Sequence, residues 1–194
     1  MKAYYKNFLE ETANSYCTSA DEFNNRAIAM MELGRYLEAQ RDYNRACNLE
    51  PDEPLYLLNR AELFIQLGMT DSAFKDAMFA RLLMGDGSVK HLDDLLHLAM
   101  ILQRCSKPVL AAETLLSYLE LLQSLIPYVV IENDGGYVIK KDNQTVHMSN
   151  IVNFNDVDFL LQAIQKDKGC EDISQLKLMI KKIKKDIINR GGTF

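Results

Sequence analysis

Residues 23–52, FNNRAIAMMELGRYLEAQRDYNRACNLEPD, decide the fold, because their pattern returns 34 residues later. Asn25-Arg26-Ala27 recurs as Asn59-Arg60-Ala61, Leu33-Gly34 as Leu67-Gly68, Ala39 as Ala73, Asp42 as Asp76, and Ala46 as Ala80. Self-similarity at such a period marks stacked supersecondary units, none of which buries its apolar face alone. Ala27, Ala39 and Ala46 are small where two helices must approach closely, and Gly34 allows the sharp turn between them. Pro51 stops the second helix, since proline has no amide hydrogen to continue the ladder. Phe23, Met30, Leu33, Tyr36 and Tyr43 fill the faces between the alanines at helical spacing.

The second unit, LYLLNRAELFIQLGMTDSAFKDAMFARLL at 55–83, lacks the closing proline. A third, LLHLAMILQRCSKPVLAAETLLSYLELL at 95–122, has Ala99 and Ala111 at the small positions and Pro108 opening its second helix. Ser106 replaces its turn glycine and its last alanine is missing, as expected of a terminal unit. Across residues 20–125 the pattern resembles the tetratricopeptide repeat family, with two clear repeats and one degenerate one. The segment before Phe23 is expected to form a capping helix with Tyr4, Tyr5, Phe8 and Leu9 on one face.

That resemblance implies a concave face lined by the first helix of each pair. Asn24, Asn25, Ile28, Met31 and Glu32 would stand there from the first repeat, and Leu55, Leu58, Asn59, Glu62 and Ile65 from the second. Asp93, His97, Met100 and Arg104 would come from the third. Asparagines on such a face can bond the backbone of an extended peptide, and apolar neighbours offer side-chain pockets; alternatively, Asn25 and Asn59 tie neighbouring helices together. Tetratricopeptide co-chaperones grip a chaperone's C-terminal carboxylate with lysines and an arginine beside asparagines. Asn59 fits one asparagine place, but Ile28 stands at the other and Asp93 and His97 at the cationic places, which argues against that ligand.

After Ile126-Pro127 the pattern alternates. Tyr128 to Ile131 and Tyr137 to Ile139 flank Asn133-Asp134-Gly135-Gly136, a hairpin signal, and Asp142-Asn143 turns the chain toward a third strand, Gln144 to Met148. Asp156 opens a helix from Val157 to Lys166, and Gly169 stops it. In the last helix, Ile173 to Asn189, Ile173, Leu176, Ile180, Ile183 and Ile187 form one apolar seam. Lys177, Lys181, Lys182, Lys184, Lys185 and Arg190 against Asp186 give +5 for residues 177–190, leaving −10 for the remainder. Such a helix either meets an acidic partner, a membrane surface or nucleic acid, or docks by its seam and leaves a solvated lysine face.

The 194 residues, 48% apolar and 25% charged, suffice for a sizeable core, and the net charge of −5 argues against a surface built for nucleic acid. No uninterrupted apolar run long enough to span a membrane is expected, and the N-terminus does not read as a secretory signal. Cys17, Cys47, Cys105 and Cys170 are scattered and read as reduced thiols of a cytoplasmic protein. His91, His97 and His147 supply no His-x-x-x-His metal pair, Asp93 and His97 read as a surface pair, and Gly85-Asp86-Gly87-Ser88 lacks the lysine of a phosphate cradle. No metal, cofactor or catalytic constellation is expected.

The sequence therefore predicts a mainly α helical-hairpin solenoid over 1–126 and a β-hairpin plus two-helix extension over 127–194. The expected function is a non-enzymatic adaptor or scaffold that binds a peptide or helix of another protein. Its candidate groove residues are Asn25, Ile28, Glu32, Leu55, Leu58, Asn59, Glu62, His97 and Met100. The basic residues Lys181, Lys182, Lys184 and Lys185 form a second candidate surface. The alternatives are a dedicated chaperone similar to secretion chaperones, or a structural subunit docked by its C-terminal extension.

Overall fold

The computed structural model describes residues 3–85, 89–131, 137–141, 144–148, 154–167 and 173–189, which fall into two compact units, 1–85 and 86–194. In the first unit, helices α1 (Ala3–Ala13), α2 (Ala20–Glu32), α3 (Tyr36–Leu49), α4 (Pro54–Gln66) and α5 (Thr70–Met84) follow one another with short turns. The tightest packing is within the hairpins α2–α3 and α4–α5, and α3 then packs on α4 and α1 on α2.

Both hairpins turn in the same way. Arg35 N donates to Met30 O at 2.8 Å and Gly34 N to Met31 O at 3.0 Å; Met69 N and Gly68 N repeat this with Phe64 O and Ile65 O at the same distances. Gly34 (φ 75°) and Gly68 (φ 71°) take the left-handed conformation that this helix ending needs. A Cβ would meet nothing within 4 Å at either glycine, so backbone preference rather than lack of space selects the residue. Ala27, Ala39, Ala46, Ala61, Ala73 and Ala80 are completely buried, as close helix approach demands.

Arg26 and Arg60, which recur with Asp42 and Asp76, prove to be paired with them across each hairpin. Arg26 Nε and Nη2 donate to the Asp42 carboxylate at 2.6 and 3.0 Å, and Arg60 does the same to Asp76 at 2.7 and 2.9 Å. The remaining Nη1 reaches back one element, from Arg60 to Asn44 Oδ1 (2.9 Å) and from Arg26 to Ser15 O (2.6 Å). The loop after α1 thus supplies the acceptor that α3 supplies to the second hairpin. α1 itself packs through Leu9 and Ala13, while Tyr4, Tyr5 and Phe8 are exposed. The expected aromatic face is therefore not the docked one, because the smaller Leu9 and Ala13, one turn apart, let α1 approach α2 closely.

In the second unit, the turn Val89–His91 leads into α6 (Leu92–Arg104) and α7 (Pro108–Leu125), joined by the same turn. Lys107 N and Ser106 N donate to Leu102 O and Gln103 O, both at 2.9 Å, and Ser106 stands at φ 56° where the other hairpins have glycine. β1 (Val129–Ile131), β2 (Tyr137–Lys141) and β3 (Gln144–Met148) pair antiparallel in sequence order, with Val130 opposite Val138 and Ile139 opposite Val146. The turn residues Asn133 to Gly136, Asp142-Asn143, the connection Asp86 to Ser88 and Gly169 lie outside the described residues.

α8 (Phe154–Lys166), which starts two residues before the expected Asp156 signal, packs on α6 and α7, and α9 (Ser174–Asn189) packs on α7. Val157, Leu160 and Ile164 of α8 and Ile173, Leu176, Ile180, Ile183 and Ile187 at α9 are buried. The isoleucine seam is thus the docked face of the last helix. The domain boundary expected at 126/127 falls inside this unit, because α8 and α9 cover apolar faces of the α6–α7 hairpin.

Residues 108–128, with mean hydropathy 1.4 over an 18-residue window, are long and apolar enough to cross a bilayer by length and composition alone, although Glu113 and Glu120 interrupt the run. Ala111, Leu115, Leu119, Leu122 and Leu125 of this helix are completely buried in the unit, as befits a core helix.

Candidate functional site

The candidate site is the face that α2 and α4 share in the first unit. Two side-chain hydrogen bonds set their register: Tyr56 Oη donates to Asp21 Oδ1 at 2.7 Å, and Asn59 Nδ2 donates to Asn24 Oδ1 at 2.9 Å. Both bonds join residues 35 apart, so they hold successive first helices one repeat out of step. Burial, then the bond to Asp21, push the Tyr56 hydroxyl well above its usual pKa, so it donates at every physiological pH.

From this seam, helical periodicity brings Asn25, Ile28 and Glu32 to the open side of α2, and Leu55, Glu62 and Gln66 to the open side of α4. Asn25, Glu32 and Leu55 are exposed, while Ile28, Asn59 and Glu62 are half-buried. Leu58 departs from expectation. It holds the place in its repeat that Asn24 holds in the preceding one, and it is completely buried. It is a core residue, since that place points along the stack rather than out of the face. The helix tie runs from Asn24 to Asn59, and Asn25 remains at the surface.

His97 and Met100 are half-buried on α6, in the second unit. Just before that helix, His91 Nδ1 meets Asp94 Oδ2 of its first turn at 2.9 Å, a pairing that the Asp93–His97 reading did not foresee. Two residues behind the first-unit face went unread in the sequence, Asp21 and Tyr56, whereas Tyr43 was read there as an interior residue and is one. The Asp21–Tyr56 spacing equals that of Asn24–Asn59, and this equality was the available signal. Tyr43 lies in the core with Met30 and Leu63, and its buried hydroxyl has no hydrogen-bond partner among the described residues. Burial first, then the nearby Glu62 and Glu32 carboxylates, raise its pKa strongly, so it stays neutral.

The face therefore offers amide and carboxylate groups around an aliphatic strip, a chemistry of recognition. Cys17, Cys47 and Cys105 are buried and form no disulfide among the described residues, and burial raises the Cys47 thiol above its usual pKa. Of the candidate basic surface on α9, Lys181, Lys182 and Lys185 are exposed. Lys184 donates to Asp158 at 2.8 Å and lies 4.9 Å over the Phe154 ring.

Comparison with known proteins bears on the helical-hairpin fold. The tetratricopeptide repeat family model matches residues 20–53, which span α2, α3 and the following turn. The small glutamine-rich tetratricopeptide repeat-containing protein 2 of Mycosarcoma maydis is 42% identical over 53 residues, 27% of this chain and 14% of that protein's length. The crystal structure of the Sgt2 TPR domain from Aspergillus fumigatus superposes with a TM-score of 0.50 at 18% identity, covering 80% of this chain and 85% of that one. BtubC (BKLC) from P. vanneervenii superposes with a TM-score of 0.57 at 14% identity, over 98% of this chain and 73% of that one. At such identities the two structures speak for the fold alone.

Proposed function

Because the chain is a tetratricopeptide-repeat protein, we propose that it is a non-enzymatic protein-interaction adaptor that receives a segment of a partner on the open face of α2 and α4. The observation that carries this reading is the way the face is built. Asp21–Tyr56 and Asn24–Asn59 fix the two helices in register from behind. In front of those bonds Asn25, Ile28, Glu32, Leu55 and Glu62 retain exposure. A preorganised face of this kind lowers the ordering cost of binding. Its amides and carboxylates suit the amide hydrogens of an extended segment, and Ile28 and Leu55 suit an apolar side chain.

The test is affinity capture from native lysate with the full chain as bait. The face variant Glu32→Lys/Leu55→Lys changes two exposed residues and leaves the core alone. A control, Leu37→Lys, changes an exposed leucine on α3. The adaptor reading expects a partner retained by the wild type and the control and lost from the face variant. Retention by all three baits refutes this face as the site. A dedicated chaperone would instead keep an aggregation-prone client soluble on co-expression, and loss of that effect in the face variant would move the reading to that class.

A further inference from the structure

The adaptor reading leaves the outer face of the last helix unused. Since the seam from Ile173 to Ile187 is buried in the second unit, the lysine side of α9 is turned outward. Leu178, 69% exposed, stands at the middle of that side, with Lys181, Lys182 and Lys185 exposed around it. Ile188, 56% exposed, borders it. Alongside runs an open cleft of about 550 Å³ lined by Gln123, Ile126, Pro127, Lys182, Asp186 and Asn189. Lysines thus flank an exposed aliphatic residue, and one of them, Lys182, also borders a cleft whose lining includes Ile126 and Pro127 beside Asp186.

We propose that this outer face of α9 and its adjoining cleft dock an acidic protein segment, whose carboxylates meet Lys181, Lys182 and Lys185 and whose apolar side chain enters the cleft beside Pro127. Charge complementarity selects the occupant: residues 177–190 carry +5, and the only acid among them is Asp186. The molecule already shows how a carboxylate is received here, because Asp158 of α8 accepts from Lys184 on the flank of the same helix. A lipid surface is the poorer occupant. A helix lying in a bilayer interface inserts its apolar face, and here that face is spent on the protein core. Nucleic acid is poorer too, since −10 on the rest of the chain opposes a polyanion as long as a duplex.

The test uses the full chain and a fluorescein-labelled glutamate-rich peptide carrying one leucine, read by anisotropy at low and high salt. The competing probes are a duplex oligonucleotide and vesicles of phosphatidylcholine with phosphatidylserine. Two variants separate the contributions, and both change exposed residues only. Lys181→Glu/Lys182→Glu/Lys185→Glu should weaken peptide binding by about tenfold or more and flatten its salt dependence. Asn189→Trp, which obstructs the cleft, should weaken binding severalfold while leaving the salt dependence intact. Circular dichroism checks that both remain folded. The proposal is overturned if the wild type does not bind the peptide, if the triple variant binds it equally well, or if vesicles or the duplex bind more tightly than the peptide.

Discussion

In the first two hairpins an arginine of the first helix, Arg26 or Arg60, grips an aspartate of the second, Asp42 or Asp76, sixteen residues on. In the third hairpin the same two places hold Leu98, completely buried, and Thr114, whose hydroxyl turns back to Leu110 O at 2.8 Å. One turn geometry therefore tolerates either a bidentate ion pair or a buried leucine and threonine at these two places. The ion pairs do more than close their own hairpins, because the spare Nη1 of each arginine binds the element before it. The third hairpin has no such arginine and is covered by α8 and α9 instead. A polar buckle serves stacking, and a buried leucine and threonine serve a hairpin roofed by other helices.

The largest effect should come from forcing the first chemistry on the third hairpin. Leu98→Arg places a charge at a completely buried site where Thr114 cannot neutralise it, and should cost more than about 4 kcal/mol. Adding Thr114→Asp should recover part of that loss, as it completes the pair. Urea denaturation of the single and double variants measures both. A Leu98→Arg protein as stable as the wild type would show that the two chemistries are not confined to their own hairpins.

Removing one half of the buckle comes next. Asp42→Ala leaves Arg26 without its partner where the aspartate side chain is only 3% exposed, and should cost about 3 kcal/mol. The exchange Arg26→Leu/Asp42→Thr, which copies the third hairpin, should cost less than half as much, because no buried charge is left stranded: Arg45, the other partner of Asp42 at 3.2 Å, is exposed. Should the exchange prove as damaging as Asp42→Ala, the backward bond to Ser15 or the stacking of Arg26 on Phe23, 5.4 Å from its ring centroid, holds more of the stability than the pair.

The sequence was informative where the period was visible and silent where function of a residue depends on its partner. The 34-residue recurrence exposed Arg26, Arg60, Asp42 and Asp76, but nothing linear joins residues sixteen apart across a turn. The seam of α9 was legible because all its members lie on one helix, whereas the helices it docks on were not. Leu58 was misplaced because two positions in a first helix, one facing out and one facing along the stack, differ by only a turn. The units divide near Gly85, which composition does not mark, because the change from helical to alternating pattern after 126 reports secondary structure and not packing.

The turns allow a finer comparison. Gly34 and Gly68 occupy the left-handed region at little cost, whereas Ser106 is held at φ 56° with a Cβ. Ser106→Gly should therefore stabilise the protein by about 0.5 kcal/mol, the relief of strain exceeding the added freedom of the unfolded chain. Gly34→Ser should lose about 1 kcal/mol. Thermal melts of both variants settle the sign. A destabilising Ser106→Gly would mean that the serine side chain holds that turn in a way the glycine turns do not need.

The smallest effect concerns how the first helices begin. α2 opens with a capping box: Glu22 N donates to Ser19 Oγ at 3.3 Å, and the Glu22 carboxylate accepts from Ser19 N at 3.0 Å and Thr18 N at 2.7 Å. α4 opens instead on Pro54, whose fixed φ suits a helix start, with no side-chain cap. The backbone amides of Thr18 and Ser19 hold the Glu22 carboxyl at about 2, against its usual 4.5. A depressed carboxylate pKa stabilises the fold fully above 4.5, and that contribution fades as pH falls toward about 2. Glu22→Gln should accordingly lose stability at neutral pH and converge with the wild type across this acid range, while Pro54→Ala should leave the difference between pH 5 and pH 2 unchanged. Parallel stability curves for Glu22→Gln and the wild type would show that the acid sensitivity of the first unit lies outside the cap, and that its two helix starts differ in sequence without differing in their response to protons.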